Sequence, residues 1–393
     1  MTTAPEIGDR IAAAPARLVT RPLLVRFVSI AGTATSFYLL LSTVPLYARS
    51  AGASAGTAGL TTTALTLATV AAYLVTPRLL ARYGFRFMLA AGLLAMGLPA
   101  LVLAWSDRIA VIMAGCAVRG AGFAVVCVAG GALTVSLIPP RRRGEGLALV
   151  GMVSGIPSVA ALPLGVWLAG HIGYRPVFVT GGVAALVALA SVPWLPVFPW
   201  PAGGAADRSA GIVATARNPV LIGPAALFSA TTMAVGVFVT FLPLAAARRA
   251  ADVAALALLV QPAAAIGGRW LAGRRGDKRG AATLLGPGVL VAAAGMLALS
   301  LASVPAAVIA GAAVFGAGFG ITQNATQTLM YDRVPESGYS AVSALWNLAY
   351  DGGMGVGTAW FGALAVHTGY PAAFALTALM LLAAPAAARR HRG

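Results

Sequence analysis

Twelve apolar stretches, most of them near or above the length needed to cross a lipid bilayer, constrain this chain more than any other feature. A helix needs about 20 apolar residues to span the hydrocarbon core. Cutting the sequence at charges and at Pro/Gly clusters gives candidates at 24–47, 56–77, 85–105, 109–138, 145–170, 175–197, 218–245, 252–273, 281–303, 305–330, 338–366 and 371–388. In hydrocarbon every backbone N–H and C=O must be bonded within the protein, so runs of this length are expected to be helices. The longest imply tilt or protruding ends. The expected fold is all-α and integral to the membrane.

Composition agrees. Of 393 residues, 59% are apolar and only 9% are charged, against about 25% charged in a soluble domain. Such a chain cannot cover a water-facing surface, which excludes a soluble enzyme. The net charge of +17 does not indicate nucleic acid, because the basic residues sit in short clusters between apolar runs, as orientation signals do. With the N-terminus inside, 21 Arg and Lys fall in cytoplasmic segments, Arg26 and Arg269 counted among them. Five, namely Arg49, Arg108, Arg175, Arg248 and Arg249, fall on the opposite face, and Arg119 falls within a span. Both termini are therefore expected in the cytoplasm, with the plasma membrane as the location.

Cys116 and Cys127 lie eleven residues apart in one apolar run, about 16 Å along a helix, too far to bridge. No metal or cofactor is expected. The chain divides into a lead at 1–23, a six-helix bundle at 24–197, a linker at 198–217 rich in Pro and Gly, a second six-helix bundle at 218–388 and a tail at 389–393.

The two bundles read as copies. "AVRGAGFA" at 117–124 aligns with "AVFGAGFG" at 313–320, and "HIGYRPVF" at 171–178 with "HTGYPAAF" at 367–374. Gly84 aligns with Gly280 and Pro139 with Pro335, all at one offset of 196 residues. Six crossings return the chain to its starting side, so the copies form a parallel repeat about an axis along the membrane normal.

Two six-helix halves with a cytoplasmic linker resemble the major facilitator superfamily. The loop "GRRGDKRG" at 273–280 is similar to that family's loop motif through Gly273, Gly276, Asp277, Lys278 and Gly280, with Arg275 in place of the usual Leu. Its counterpart "PRLLARYG" at 77–84 keeps Leu79, Arg82 and Gly84, but has Pro77 for the first Gly and Ala81 for the Asp. In the family that carboxylate helps hold the outward-facing state, so the resemblance implies no such lock from the N-terminal loop. "VRGAGF" at 118–123 is similar to the family's second motif, whose Arg is tied to proton coupling in exporters. "GMVSGIPSVAALPLG" at 151–165 partly resembles the antiporter motif of helix 5, with Ile156 separating Gly155 from Pro157. Helix 11, "ALWNLAYDGGMGVG" at 344–357, resembles drug and natural-product exporters of actinobacteria. The resemblance implies proton-coupled efflux of a small amphipathic molecule, with uptake by symport or a receptor role as alternatives.

Ionisable residues inside a bilayer are costly and usually functional. Asp351 lies deep in helix 11 and Arg119 deep in helix 4. Both fall near the middle of the core when helix rise is counted from the span ends. Low-dielectric surroundings penalise a charged carboxylate, which makes Asp351 the expected proton carrier and Arg119 a partner in coupling or a substrate contact. Helix 10 carries Gln323, Asn324 and Gln327, and helix 1 carries Tyr38 and Ser42; by resemblance both helices line the cavity, so these five are the expected substrate contacts. Each has a plain structural alternative, since polar side chains also join helices. Expected partners are a small-molecule substrate, protons and the lipid bilayer, for a monomer that binds no nucleic acid. An ATP-driven pump is excluded by the lack of a Gly-x-x-x-x-Gly-Lys loop. A membrane enzyme lacks its clustered acids, histidines or cysteines. The three histidines, His171, His367 and His391, fall in predicted loops or the tail.

Overall fold

The computed structural model describes residues 18–41, 43–196, 215–245 and 251–390. The expectations for residues 1–17, Ser42, 198–214, Arg248, Arg249 and 391–393 lie outside the described residues. The rest is helix joined by short 3-10 turns, with no strand among the described residues. The helices are α1 Arg21–Leu41, α2 Thr43–Ser50, α3 Ala55–Leu103, α4 Ile109–Leu137, α5 Arg143–Ile172 and α6 Tyr174–Ala190. After the linker come α7 Pro219–Ala245, α8 Ala251–Arg279, α9 Leu285–Ala298, α10 Pro305–Asp332, α11 Tyr339–Thr368 and α12 Tyr370–Arg390.

Among the described residues nine helices are long and apolar enough to cross a membrane, against twelve segments expected. The difference has identifiable sources. The predicted segments 56–77 and 85–105 fall in the single stretch α3, which is broken at Gly84 (φ 76°, ψ 168°). α11 is long enough, but Asn347, Asp351 and five glycines lower its hydropathy. In α12 the apolar stretch counted among the described side chains is Tyr370–Ala384, short of a full crossing.

The internal repeat is visible in the backbone. Gly84, Gly173, Gly280 and Gly369 all hold φ between 76° and 86°, a region open to glycine at no steric cost. Gly280 and Gly369 follow Gly84 and Gly173 by 196 residues each. The Gly-Ala-Gly step of the repeated motif packs alike in both copies. Gly120 lies under the carbonyl of Leu65 and Gly316 under that of Gln261; Gly122 faces the carbonyl of Gly92 and Gly318 that of Gly288. Every pair maps onto the other at the same offset. A Cβ at these positions would collide with backbone, so the glycines set how closely α4 approaches α3, and α10 approaches α8 and α9.

α3 packs on α4 and α6, and α1 on α5 and α6. Among the later helices α10 packs on α8 and α9, and α11 and α12 pack on α7. The two sets meet where α5 touches α8 and where α3 and α4 touch α11. At one end they are bonded together. Arg143 at the start of α5 pairs with Asp332 (2.5 Å) and donates to the Tyr339 hydroxyl (2.6 Å). Arg143 and Tyr339 are themselves repeat equivalents, and a residue can touch its own equivalent only close to the axis relating the copies. Asn324 donates to the carbonyl of Gly144 (3.1 Å), and Ser343 to that of Cys127 (3.2 Å). This end of the molecule is closed.

Candidate functional site

A cavity of about 130 Å3 lies between the two sets of helices. α1 brings Tyr38 to it, and α5 brings Gly151, Ser154, Gly155 and Ser158. Facing them, α8 contributes Gln261, Pro262, Ala265, Ile266 and Arg269, α10 contributes Phe319 and Gln323, α7 Val235 and α11 Tyr350. Apolar walls with a few convergent polar groups are the composition of a small-molecule site.

Two of the expected contacts, Tyr38 and Gln323, line this cavity. Asn324 does not; its bond to Gly144 makes it part of the closed end. Gln327 is half-buried one helical turn beyond Gln323 and is not among the lining residues. Ser42 is outside the described residues.

Arg269 overturns one expectation. It was counted with the cytoplasmic bases, yet it lies ten residues before the end of α8, about 15 Å along the axis. It lines the cavity, and its Nε donates to Gln323 Oε1 at 2.6 Å. Gly151 on α5 makes room for it, since a Cβ there would collide with its guanidinium. Arg26 departs in the same way: it is buried in α1 and donates to Ser29 (2.6 Å) and Thr134 (3.1 Å). Ionisable side chains within a membrane-spanning helix face the bundle interior and take polar partners there. Withdrawing both from the basic count leaves its direction unchanged.

Asp351 and Arg119 have separate partners. Asp351 Oδ2 accepts a 2.8 Å bond from the hydroxyl of Tyr73, a fully buried residue of α3, so the contact joins the two sets of helices. The carboxylate lies within electrostatic reach of Tyr38 on α1, Cys127 on α4 and its neighbour Tyr350. It is in neither of the two ion pairs found among the described residues. Arg119 is buried among the N-terminal helices. Its guanidinium donates to the carbonyls of Met96 (2.7 Å) and Ser36 (3.0 Å), tying α4 to α3 and α1. It does not line the central cavity.

The loop motif acts at the closed end. The Asp277 carboxylate accepts from the backbone N–H groups of Gly144 (2.7 Å) and Glu145 (2.8 Å). Those N–H groups belong to the first turn of α5, where a helix leaves donors unpaired and favours a negative charge. Gly273 meets the Gly144 carbonyl so closely that a side chain would collide with it. Lys278 is exposed, and Arg82 in the other loop stacks over Tyr83 (5.3 Å). The C-terminal copy of the motif thus grips the N-terminal helices, while Ala81 leaves the reciprocal grip unmade. Tyr73, Arg269 and the α5 serines were missed from sequence. Arg269 already fell inside the predicted span 252–273, which was the available signal; nothing marked Tyr73, because its role depends on a partner 278 residues away.

A family model described as Major Facilitator Superfamily matches residues 26–358 and, in a second match, 271–390. No curated protein matches. Among solved structures the chain is similar to the E. coli fucose:proton symporter FucP, with 14% identity and a TM-score of 0.77 over 95% of this chain and 99% of that one. It is also similar to the proton:xylose symporter XylE, with 14% identity and a TM-score of 0.74 over 93% and 94%. The human organic anion transporter MFSD10 matches with 15% identity and a TM-score of 0.77 over 94% and 99%. At these identities the likeness shows the fold.

Proposed function

Because the chain belongs to the Major Facilitator Superfamily, and so is a multi-pass membrane transporter rather than an enzyme, we propose that it is a proton-coupled secondary transporter of a small organic molecule, working by alternating access. The observation that carries this reading is the Tyr73–Asp351 bond. It places a titratable carboxylate deep in α11, at a contact between helix sets that must separate and rejoin during transport. Asp351 loses its Tyr73 partner when those helices part, so proton occupancy and conformation depend on each other. Arg119 holds α1, α3 and α4 together, and its role in this reading is to move them as one body. The substrate lies in the central cavity against Tyr38 and Gln323.

The architecture proposed is twelve crossings in two six-helix bundles. α3 crosses twice, turning at Gly84, and α11 and α12 each cross once. The basic asymmetry puts the closed end and both termini in the cytoplasm, so this is an outward-facing or occluded state of a plasma-membrane protein. The proposed direction is export, supported by the resemblance of helices 4 and 11 to exporters. Uptake is the second reading, favoured by the departures of helix 5 from the antiporter pattern at Ile156, Ala160 and Ala161. The test uses purified protein in proteoliposomes. Asp351→Asn should keep substrate counterflow while losing accumulation driven by a pH gradient. Normal gradient-driven accumulation by that variant would show Asp351 to be structural.

A further inference from the structure

Arg269 and Tyr73 are repeat equivalents, 196 residues apart, and so are Asp351 and Gly155. In one copy Tyr73 on α3 meets the carboxylate of Asp351 on α11. In the other, Arg269 on α8 faces α5, where the position equivalent to Asp351 is Gly155. A cation therefore occupies the donor's place, and no carboxylate stands opposite it; the side chain nearest Gly155 is Ile266. Arg269, Gly151 and Gly155 all line the cavity. Gln323 takes only the Nε of Arg269, and as a neutral amide it leaves the charge uncompensated. Neither of the two ion pairs among the described residues involves Arg269.

We propose that the cavity takes a small organic carboxylate, whose anionic group sits on the Gly155 side of the cavity and binds the guanidinium of Arg269. This rests on the transport reading and names its substrate class. The half-buried guanidinium of Arg269 presents a planar fork of donors that matches a carboxylate's two oxygens. Ser154 and Ser158 flank that position from α5, and the rings of Tyr38, Tyr350 and Phe319 provide the apolar wall. The volume of about 130 Å3 is small beside the roughly 300–1,000 Å3 of drug-sized pockets, so the body of the ligand is on the scale of one ring.

The glycine supplies the decisive variant. A Cβ at position 155 would meet Cδ1 and Cγ1 of Ile266 at 3.2 and 3.3 Å and no backbone, so a small shift of that side chain admits it, and Gly155→Asp builds into the second copy the carboxylate that Asp351 gives the first. The full-length protein in nanodiscs is titrated with acetate against acetamide, benzoate against benzamide, and 2-naphthoate against 2-naphthamide, followed by tryptophan fluorescence. At least one acid should bind about tenfold or more tighter than its amide, the difference expected between a charged and a neutral hydrogen bond. Arg269→Gln and Gly155→Asp should each abolish that preference, and Arg269→Lys should keep part of it. If no acid outbinds its amide, or if the preference survives Arg269→Gln, the proposal fails. Anion-selective binding without transport in proteoliposomes would instead sink the transport reading and leave this site standing.

Discussion

Replacing Asp277 by Asn should open the closed end of the molecule. The carboxylate holds the first turn of α5 through two backbone N–H groups at 2.7 and 2.8 Å. A hydrogen bond to a charged group contributes about 1.5–3 kcal/mol, and the half-buried position of Asp277 brings each bond toward the low end. Because an amide keeps one neutral acceptor, the net loss is roughly 2 kcal/mol. Applied to the equilibrium between closed and open ends, that shifts the population about thirtyfold. A reporter cysteine replaces Ser343, which is buried where α11 meets α4, with Cys116 and Cys127 replaced by serine. Its labelling rate by an impermeant maleimide, applied from the side bearing Arg143, should rise about tenfold or more in Asp277→Asn. The reciprocal substitution Ala81→Asp puts a carboxylate at the repeat equivalent of Asp277, whose partner Gly144 corresponds to Ser340 in the first turn of α11, buried with its hydroxyl unpaired, and it should slow labelling. Equal labelling rates in the parent and in both variants would refute the account of this loop as a conformational lock.

Two further outcomes are expected. Tyr73→Phe removes the only hydroxyl bonded to Asp351 among the described residues; gradient-driven accumulation should fall while counterflow persists, and an unchanged pH profile of accumulation would separate Tyr73 from coupling. For topology, single cysteines at positions 248 and 275 should label from outside and inside respectively in intact cells, and the reverse pattern would invert the assignment of the closed end.

Sequence alone determined the class of solvent. Apolar runs this long, with charges confined between them, are incompatible with water on all sides, and no tertiary contact is needed to see it. The repeat was also legible, since one offset governs Gly84, Pro139 and both longer motifs; the structure added the reason, which is that Gly120 and Gly316 pack under equivalent carbonyls. The loop carboxylate Asp277 was legible as a motif, but its partners Gly144 and Glu145 were not, because they lie in the other half of the chain. Asp351 stood out as a deep charge, yet its meeting with Tyr73 rather than Arg119 was decided by which helix faces which. Arg269 shows the same limit most clearly. Its charge counts as an orientation signal in one dimension, and only the approach of α8 to Gly151 on α5 turns it inward. Helix formation and the apolar character of the spans depend on local composition, which a sequence displays residue by residue. The binding site depends on helices distant in the chain coming into register, and that is a property of the packed molecule.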